Sequence, residues 1–327
     1  MKVLIAQKHW FSLWVMPEWV VERLRSDFPE HHFVYIKDYA EIDREILDAE
    51  VFIGWTMRPE QLAAARMLRW VHSPAAAVHT LIFPELVASD VTLTNAREVH
   101  APVVAEHVMA LLLALAKRIP DCVHLQQRRS WGQQALWEQQ ARPREIAGDT
   151  LGIVGLGSIG REVARRAKAF GMRVIGTRER PEKPAAHVSA VYGATELPIL
   201  LAQSDFVVLA APLISSTRNL MNAATLAHMK PSAYLINVGR GALVDERALA
   251  EALRSRSIAG AALDVFDKEP LPVESELWDV PNLLITPHSA GLTEKLWDRH
   301  YVLMKENLRR YVAGETLLQI VDKQKGY

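Results

Sequence analysis

Cysteine is nearly absent from this chain, in which Cys122 is the only one among 327 residues. A single thiol cannot build an internal disulfide framework, so the sequence excludes a disulfide-stabilised scaffold and favours a reducing compartment. Long apolar runs are also lacking. The most apolar stretch, residues 108–116, is well short of the roughly 20 residues that a membrane-spanning helix needs, and the apolar run at the N-terminus is too short for a signal peptide. We therefore expect a cytoplasmic protein that does not bind a membrane.

An excess of charge of either sign is missing as well. Lys and Arg together number 38, and Asp and Glu together also number 38, which leaves no formal net charge. That balance argues against a general nucleic-acid binder, which normally has a basic excess or a basic patch. Half of the residues are hydrophobic and 23% are charged, so a sizeable core can form and disorder is not expected. A length of 327 residues predicts roughly two domains.

Short apolar segments with strand character alternate with helical patterns along most of the chain. The predicted strands are 2–6, 33–36, 51–54, 69–72 and 91–94 in the first hundred residues, and 150–154, 173–176, 206–210, 233–237, 259–264 and 282–285 further on. Residues 101–118 and 293–313 are strong candidates for long helices. Because strands that alternate with helices favour open parallel sheets, we predict an α/β fold.

Residues 119–148 interrupt this pattern. The segment is rich in Gln and Arg, contains Trp131 and Trp137, and shows little clear periodicity. It is interpreted either as a surface excursion or as an oligomerisation arm, because polar segments with spaced tryptophans suit protein interfaces. The sequence alone leaves these two alternatives open.

The sharpest local motif is the run GLGSIG at residues 155–160. It directly follows the predicted strand 150–154 and precedes apolar residues at helical spacing, which is the context that a dinucleotide-binding turn requires. Gly155 permits a tight turn, Gly157 allows the backbone to approach a pyrophosphate, and Gly160 lets the helix pack closely on the strand. The N–H groups at the start of that helix can then bind the phosphates. The alternative is a glycine turn that binds no ligand.

The end of the next predicted strand bears on which dinucleotide is bound. An NAD-binding unit usually has Asp or Glu about 20 residues after the glycines, where the carboxylate binds the ribose 2′-hydroxyl. This chain has Thr177 and Arg178 at that point, with Arg180 two residues further on. Because arginine attracts a 2′-phosphate, we predict NADP(H) as the preferred cofactor and NAD(H) as the second candidate. Glu179 lies among these residues, and the alternative is an ordinary solvated charge cluster.

Three polar residues each follow a predicted strand in the second half of the chain. Arg240 follows strand 233–237, Glu269 comes after strand 259–264, and His288 follows strand 282–285. Because ligands of open parallel sheets bind at the carboxyl ends of the strands, we expect the three side chains to converge. Taken singly, each has a structural explanation, as a loop cap, a surface charge or a buried imidazole. Together they suit hydride transfer, since arginine binds a carboxylate and histidine exchanges a proton with an oxygen atom.

With these features the sequence resembles the D-isomer-specific 2-hydroxyacid dehydrogenase family, in particular its NADPH-dependent glyoxylate and hydroxypyruvate reductases. The resemblance covers nearly the whole chain and depends on four motifs in the family's order, at residues 150–160, 229–245, 263–270 and 281–288. It implies two Rossmann-like, doubly wound parallel-sheet domains. A substrate domain of residues 1–97 and 292–327 would contain an inserted cofactor domain of residues 98–291. A homodimer is also implied, with residues 119–148 as the interlocking arm.

The resemblance implies roles for individual residues. His288 is the general acid/base, Glu269 is its partner and Arg240 binds the substrate. A loop is similar to the place where backbone N–H groups bind the substrate carboxylate, which makes Ala76 and Ala77 substrate-binding residues with Arg240 and His288. Many relatives have glycine there, and alanine restricts a backbone that needs a positive φ. No metal-binding residue is implied. The residues implied at the cofactor are Gly155, Leu156, Gly157, Ser158, Ile159, Gly160, Thr177, Arg178, Arg180, Pro212, Thr217, Val238, Gly239, Arg240, Asp264, His288 and Gly291.

We therefore predict an oxidoreductase that transfers hydride from NADPH to a small 2-keto acid and gives the D-2-hydroxy acid. The alternative is a non-catalytic, cofactor-sensing scaffold, like the transcriptional corepressors on the same fold, which can retain the three polar residues. Turnover of any small 2-keto acid distinguishes the two. The sequence does not identify the substrate side chain, because Trp55, Met57 and Trp297 suit a pocket wall and a core equally well.

Overall fold

The computed structural model of the chain describes residues 1–139 and 141–326. The chain divides into two compact units. Unit 1 is Met1–His100 with Leu292–Tyr327, and unit 2 is Ala101–Gly291. Unit 1 contains a five-stranded sheet and unit 2 a seven-stranded sheet, and every pair of neighbouring strands is parallel. The predicted α/β fold with parallel sheets is confirmed.

The strands and helices are numbered along the chain. Strands β1 to β12 are Lys2–Ala6, His32–Ile36, Val51–Gly54, Trp70–His72, Thr92–Thr94, Thr150–Val154, Arg173–Thr177, Ala190–Tyr192, Phe206–Leu209, Tyr234–Asn237, Gly260–Leu263 and Leu283–Ile285. Helices α1 to α12 are Glu18–Asp27, Ile42–Glu45, Pro59–Ala64, Pro84–Ala88, Ala101–Ala116, Ile119–Gln127, Gln133–Glu138, Ser158–Ala169, Leu197–Gln203, Ala223–Leu226, Glu246–Arg254 and Leu296–Val312. None of the helices in the described residues is long and apolar enough to cross a membrane.

The sheet of unit 1 has the strand order β2-β1-β3-β4-β5 and a core on each face. Strand β3 shows why, because its alternating side chains enter the two cores in turn. Phe52 packs with residues of α2 and α4, whereas Val51 and Ile53 pack with residues of α1 and α12. A strand that is buried on both faces has a continuous apolar sequence, and the apolar run at residues 51–54 therefore predicted this strand.

The C-terminal segment returns to unit 1. Helix α12 contributes Leu296, Met304 and other residues to the core that contains α1. Further on, Lys323 Nζ donates hydrogen bonds of 2.5 to 3.0 Å to three backbone carbonyls, one in α4 and two between α4 and β5. Thr94 and Ile320 form an antiparallel bridge. Unit 1 therefore depends on residues from both ends of the described chain.

The sheet of unit 2 has the order β12-β11-β10-β9-β6-β7-β8. One face packs against α5 and α8, and the other packs against α9, α10 and α11. The chain crosses from β8, at one edge, to β9, which lies on the opposite side of β6. The strand order therefore changes direction beside β6. Ligands of doubly wound sheets bind at this kind of position.

One strand and two helices were not predicted. Strand β8 has only three residues and is half-buried, so its sequence has no strong apolar pattern. Helices α6 and α7 occupy part of the segment 119–148, and neither contains a buried residue. A helix without a buried face has no apolar stripe, which explains why periodicity did not show it. The two long helices are shorter than the predicted 101–118 and 293–313, and several strand ends differ by one residue.

A buried histidine forms part of the polar interior of unit 1. His72, the last residue of β4, is fully buried. Its Nδ1 lies 2.9 Å from Thr94 Oγ1, which also accepts a 2.8 Å hydrogen bond from Trp70 Nε1. Burial lowers the pKa of His72 to about 4. Burial also lowers the pKa of His300 well below its ordinary value, and His100 and His72 add to that effect.

Unit 1 is therefore expected to lose stability in mild acid. The pKa of His72 is about 4 in the folded chain and 6.5 in the absence of burial, so the unfolded chain binds the proton first as the pH falls. The stability that depends on uncharged His72 is fully present above pH 6.5 and is lost progressively toward pH 4. Between pH 7 and pH 5 the loss is roughly 2 kcal/mol.

Urea unfolding at the two pH values, followed by tryptophan fluorescence, measures this loss. His72→Gln should remove the part that is due to His72. His79→Gln replaces an exposed histidine of the same unit and should leave the loss unchanged. An equally large loss in His72→Gln and in the unmodified chain would show that His72 does not cause it.

Candidate active site

The glycine run 155–160 forms the turn between β6 and α8. Gly155 has a φ of +102°, and a Cβ there would lie 2.7 Å from backbone atoms of Ala211. Only glycine fits this position without strain. The N–H groups of Gly155 and Leu156 donate to the Thr177 carbonyl at 3.2 and 3.0 Å. The turn therefore has one defined conformation and is tied to the end of β7.

The residues after this turn can bind an anion. A Cβ on Gly157 would meet no atom of the described residues within 4 Å. The first hydrogen bond of α8 runs from the Arg161 N–H to the Gly157 carbonyl at 3.0 Å, so the earlier N–H groups of Ile159 and Gly160 have no helical carbonyl to bind. Open space beside these N–H groups fits the pyrophosphate of a dinucleotide.

The end of β7 contains the arginines expected to select the cofactor. Thr177 is the last residue of the strand and is only 5% exposed. Arg178 is half-buried, and its Nη2 donates to the Pro184 carbonyl at 3.3 Å. The chain bends directly afterwards, and Arg180 is exposed. The guanidinium of Arg178 is thus anchored close to the end of the strand, whereas that of Arg180 extends into solvent.

The other expected cofactor residues lie in loops that follow strands of the same sheet. Pro212 and Thr217 follow β9, Val238 and Gly239 follow β10, Asp264 follows β11, and Gly291 follows β12. Thr217 Oγ1 donates to the Pro212 carbonyl at 2.8 Å and accepts the Ile214 N–H at 2.8 Å. Because all these strands are parallel, their loops meet the glycine turn at one edge of the sheet.

His288 and Glu269 form a close pair at this edge. His288 Nδ1 lies 2.6 Å from Glu269 Oε2. The other carboxylate oxygen, Oε1, accepts the Phe266 N–H at 2.9 Å, which fixes the orientation of the carboxylate. Because a carboxylate only accepts hydrogen bonds, Nδ1 carries the hydrogen of this pair. The His288 side chain is 52% exposed, so Nε2 is left to exchange a proton with a bound molecule.

Arg240 lies after β10, and its conformation is set by its neighbours. Asn237 is fully buried, donates to the Arg240 carbonyl at 3.0 Å and accepts the Gly239 N–H at 3.0 Å. Arg240 Nη1 donates to the Gly239 carbonyl at 2.7 Å. Burial lowers the pKa of the Arg240 guanidinium, and the negative charge of Glu269 opposes that shift. The guanidinium remains charged at neutral pH and can bind a carboxylate.

Asp264 is almost completely buried, with 1% of its surface exposed. The resemblance implies that it lies at the cofactor. In the structure its carboxylate accepts hydrogen bonds from the N–H groups of Ser289 and Ala290 at 2.9 and 3.0 Å. These residues follow His288 directly, so Asp264 binds the loop that contains this histidine.

The loop after β4 in unit 1 contains the three alanines. None of Ala75, Ala76 and Ala77 is among the described residues with a positive φ, so this loop accommodates alanine without that strain. The carbonyl of Ala76 accepts a 2.7 Å hydrogen bond from Asn95 Nδ2. Among the described residues, no hydrogen bond is donated by the N–H groups of Ala76 and Ala77, so both can bind a carboxylate.

The three possible pocket residues of unit 1 differ in their surroundings. Met57 is 3% exposed and belongs to the core around Phe52. Trp297 is 6% exposed in the opposite core, and its Nε1 donates to the Leu13 carbonyl at 2.8 Å. Trp55 is half-buried. Met57 and Trp297 are therefore core residues.

Sequence reasoning missed several residues that support the pair. Glu246 Oε1 accepts the Asp267 N–H at 2.8 Å, which anchors the segment leading to Glu269. Burial raises the pKa of Glu246, and the negative charges of Asp267 and Glu269 add to that effect. Thr286 and His107 form a hydrogen bond to each other near Asp264. No local motif identifies His107, because it lies 179 positions from Thr286 in the sequence.

Residues 109–290 match the family described as D-isomer specific 2-hydroxyacid dehydrogenase, NAD binding domain. The chain is 35% identical over 337 residues to a glyoxylate reductase of Thermococcus onnurineus, with 99% of this chain and 96% of that protein covered. It is 32% identical over 285 residues to a D-3-phosphoglycerate dehydrogenase of Methanocaldococcus jannaschii. That match covers 86% of this chain, which spans only about half, 53%, of the longer relative.

A solved structure shows the same fold. The NADPH-dependent glyoxylate/hydroxypyruvate reductase of Sinorhizobium meliloti, in complex with NADP and sulfate, superposes with a TM-score of 0.81. The two sequences are 29% identical, and the match covers 100% of both chains. Similarity to this structure and to the relatives above extends over nearly the whole chain, not only over the nucleotide-binding turn.

Replacement of Gly157 should weaken dinucleotide binding and leave folding intact. Because a Cβ at this position meets no atom of the described residues, Gly157→Ala should unfold at the temperature of the unmodified chain. Its methyl group would occupy the space where the backbone approaches a pyrophosphate, so NADPH affinity should fall roughly tenfold or more. Gly155→Ala, by contrast, should lower the unfolding temperature. Thermal unfolding and NADPH fluorescence titration measure both effects, and unchanged affinity in Gly157→Ala would exclude the turn as the pyrophosphate site.

Proposed function

Because the chain belongs to the D-isomer specific 2-hydroxyacid dehydrogenase family, we propose that it reduces a small 2-keto acid of the glyoxylate or hydroxypyruvate type with NADPH and gives the D-2-hydroxy acid. The observation that carries this proposal is the 2.6 Å contact between His288 and Glu269. It lies at the sheet edge that also contains Arg240 and the glycine turn. A proton donor, an anion-binding group and a dinucleotide turn are the parts that keto-acid reduction needs.

Arg240, Glu269 and His288 each have a role in this proposal. Arg240 binds the substrate carboxylate by charged, paired hydrogen bonds. His288 donates the proton on Nε2 to the keto oxygen, and Glu269 holds the ring by Nδ1 and stabilises its charged form. When bound, NADPH supplies the hydride. After proton donation the imidazole is neutral, and its Nδ1–H remains bonded to Glu269.

The cofactor domain in this proposal is unit 2. The glycine turn from Gly155 to Gly160, with Ser158 and Ile159 at the start of α8, would hold the pyrophosphate. Arg178 would bind the 2′-phosphate, which favours NADP(H) over NAD(H). The structure from Sinorhizobium meliloti contains NADP, which supports the same preference here. The remaining cofactor contacts proposed are those of the loops after β9, β10, β11 and β12.

Unit 1 is the substrate domain in the same proposal. The N–H groups of Ala76 and Ala77 are available donors, and two adjacent backbone N–H groups suit a carboxylate. Of the three possible pocket residues, Trp55 is the candidate pocket wall, because Met57 and Trp297 are core residues.

We also propose that the chain forms a homodimer through the segment 119–148. Helices α6 and α7 contain no buried residue, and several of their large apolar side chains are exposed. Trp131 is 93% exposed and Trp137 is 60% exposed. Exposed aromatic residues of this kind are enriched in protein interfaces, and a second copy of the chain would cover them.

His288 should be required for turnover but not for nucleotide binding. General acid catalysis contributes about 10²–10⁴-fold, so His288→Ala should lower kcat by at least this order and retain NADPH affinity. Glu269→Gln should also lower kcat and retain NADPH affinity, because an amide cannot hold the His288 ring by a charge-assisted hydrogen bond at Nδ1. Steady-state assays with glyoxylate, hydroxypyruvate, pyruvate and phenylpyruvate measure both effects. Absence of turnover by the unmodified chain with all four acids would favour the cofactor-sensing scaffold.

Cofactor preference should depend on Arg178. A charge-assisted hydrogen bond is worth about 1.5–3 kcal/mol, so kcat/KM should be at least roughly tenfold higher with NADPH than with NADH. Arg178→Asp should abolish or reverse this preference, because a carboxylate repels the 2′-phosphate and binds the free hydroxyl. Arg173→Asp makes the same charge change at the start of the same strand and should leave it intact. Equal kcat/KM values for the two cofactors in the unmodified chain would show that these arginines are only a solvated charge cluster.

A further inference from the structure

The loop that contains His288 has a backbone conformation that needs support. His288 has a φ of +51°, which places it in the left-handed region that non-glycine residues rarely adopt. Such a conformation is strained and persists only where surrounding contacts enforce it. The His288 N–H donates to the carbonyls of Asp264 and Thr286 at 2.8 and 3.1 Å. The direction of the imidazole therefore depends on what holds this loop.

The carboxylate of Asp264 supplies most of that support. Its Oδ1 accepts the Ser289 N–H at 2.9 Å and the Thr286 hydroxyl at 2.6 Å. Its Oδ2 accepts the Ala290 N–H at 3.0 Å. The carboxylate thus binds the loop on both sides of His288. Because these bonds are charge-assisted and almost completely buried, they are stronger than exposed ones.

Helix α5 reaches this carboxylate through one side chain. His107 Nε2 lies 3.1 Å from Thr286 Oγ1 and 3.5 Å from Asp264 Oδ1. The single hydrogen of the Thr286 hydroxyl is directed to Asp264, since a carboxylate only accepts. His107 must then be the donor in the bond to Thr286. The hydrogen bonds form a chain with one direction, from His107 to Thr286 to Asp264.

The position of His107 in α5 fits a specific role. The helix is apolar, and nine of its 16 residues are buried. The side chain of His107 is only 21% exposed, and a polar group in such surroundings is costly unless it is bonded. The buried face of α5 packs against α8 and the sheet. His107 is therefore a rigid donor at a fixed place in unit 2.

We propose that His107 is a positioning residue for His288, and that it acts through Thr286 and Asp264. This inference depends on the proposed function, because the loop matters for turnover only if His288 transfers a proton. The N–H of His107 orients the Thr286 hydroxyl, the hydroxyl and the backbone N–H groups orient the Asp264 carboxylate, and the carboxylate keeps His288 in its left-handed conformation.

Three variants test the chain of bonds without turnover. His107→Leu removes the donor, and His107→Gln retains an N–H donor on a side chain of similar length. His228→Leu is the matched control, because it makes the same replacement at an exposed histidine of unit 2. Hydrogen exchange is measured by mass spectrometry on the ligand-free chain, for a peptide containing residues 288–291 and for a reference peptide containing β10.

In His107→Leu the amides of residues 288–291 should exchange roughly tenfold faster, the factor expected for the loss of one hydrogen bond. Exchange in β10 should stay unchanged. In both peptides, His107→Gln and His228→Leu should exchange at the rate of the unmodified chain. Equal exchange of residues 288–291 in His107→Leu and the unmodified chain would overturn the proposal. Acceleration in both peptides would overturn it too, because it would show general destabilisation of unit 2.

A second measurement separates positioning from loss of folded protein. With NADPH deuterated at the transferred position, His107→Leu should lower kcat about tenfold and raise the primary isotope effect, because misplacement of His288 slows the chemical step. A smaller folded fraction lowers kcat and leaves the isotope effect unchanged, which would contradict positioning. The double variant His107→Leu/Thr286→Val should be no slower than Thr286→Val alone, since both substitutions break one chain. If the unmodified chain turns over no keto acid, the proposed function fails, and the exchange experiment still decides the role of His107 in the loop.

Discussion

All seven strands of the unit 2 sheet run in the same direction, and the candidate site depends on this constraint. The carboxyl ends of β6, β7, β9, β10, β11 and β12 meet at one edge, so six separate stretches of sequence supply groups to one place. The glycine turn comes first in the chain, and His288 comes more than a hundred residues later. Short loops are enough to bring the glycine turn and His288 together, because the loop after each parallel strand begins at the same edge of the sheet.

Most of the fold was predictable because parallel strands buried on both faces are continuous apolar runs. Strand β3 and the segment 150–154 have this character, and both were located correctly to the residue. Strand β8 was missed because its three residues are half-buried at the edge of the sheet. Helices α6 and α7 were missed for a related reason. Their sequence carries no buried stripe, so the segment 119–148 has no periodic signal to detect.

The candidate site was predictable where its residues sit in local motifs, and not where they act through space. Gly155, Arg240 and His288 each follow a strand within a few positions, so their chemistry and place could be inferred together. His107 belongs to an apolar helix and is remote in sequence from its partner Thr286. Nothing near His107 in the chain indicates this bond. The conformation of residues 75–77 was likewise hidden, because alanine in itself does not show whether a loop needs a positive φ.

The return of the C-terminal segment to unit 1 has a consequence for the order in which the chain can fold during synthesis. Unit 2 is complete once residue 291 has left the ribosome. The sheet of unit 1 is made much earlier, but Leu296, Met304 and Leu308 of its second core come from α12. Helix α1 covers part of that face from the start, but the part that α12 covers stays exposed through the synthesis of nearly two hundred intervening residues. The half that is translated first is the half that is finished last, and its apolar face needs protection from aggregation in the interval.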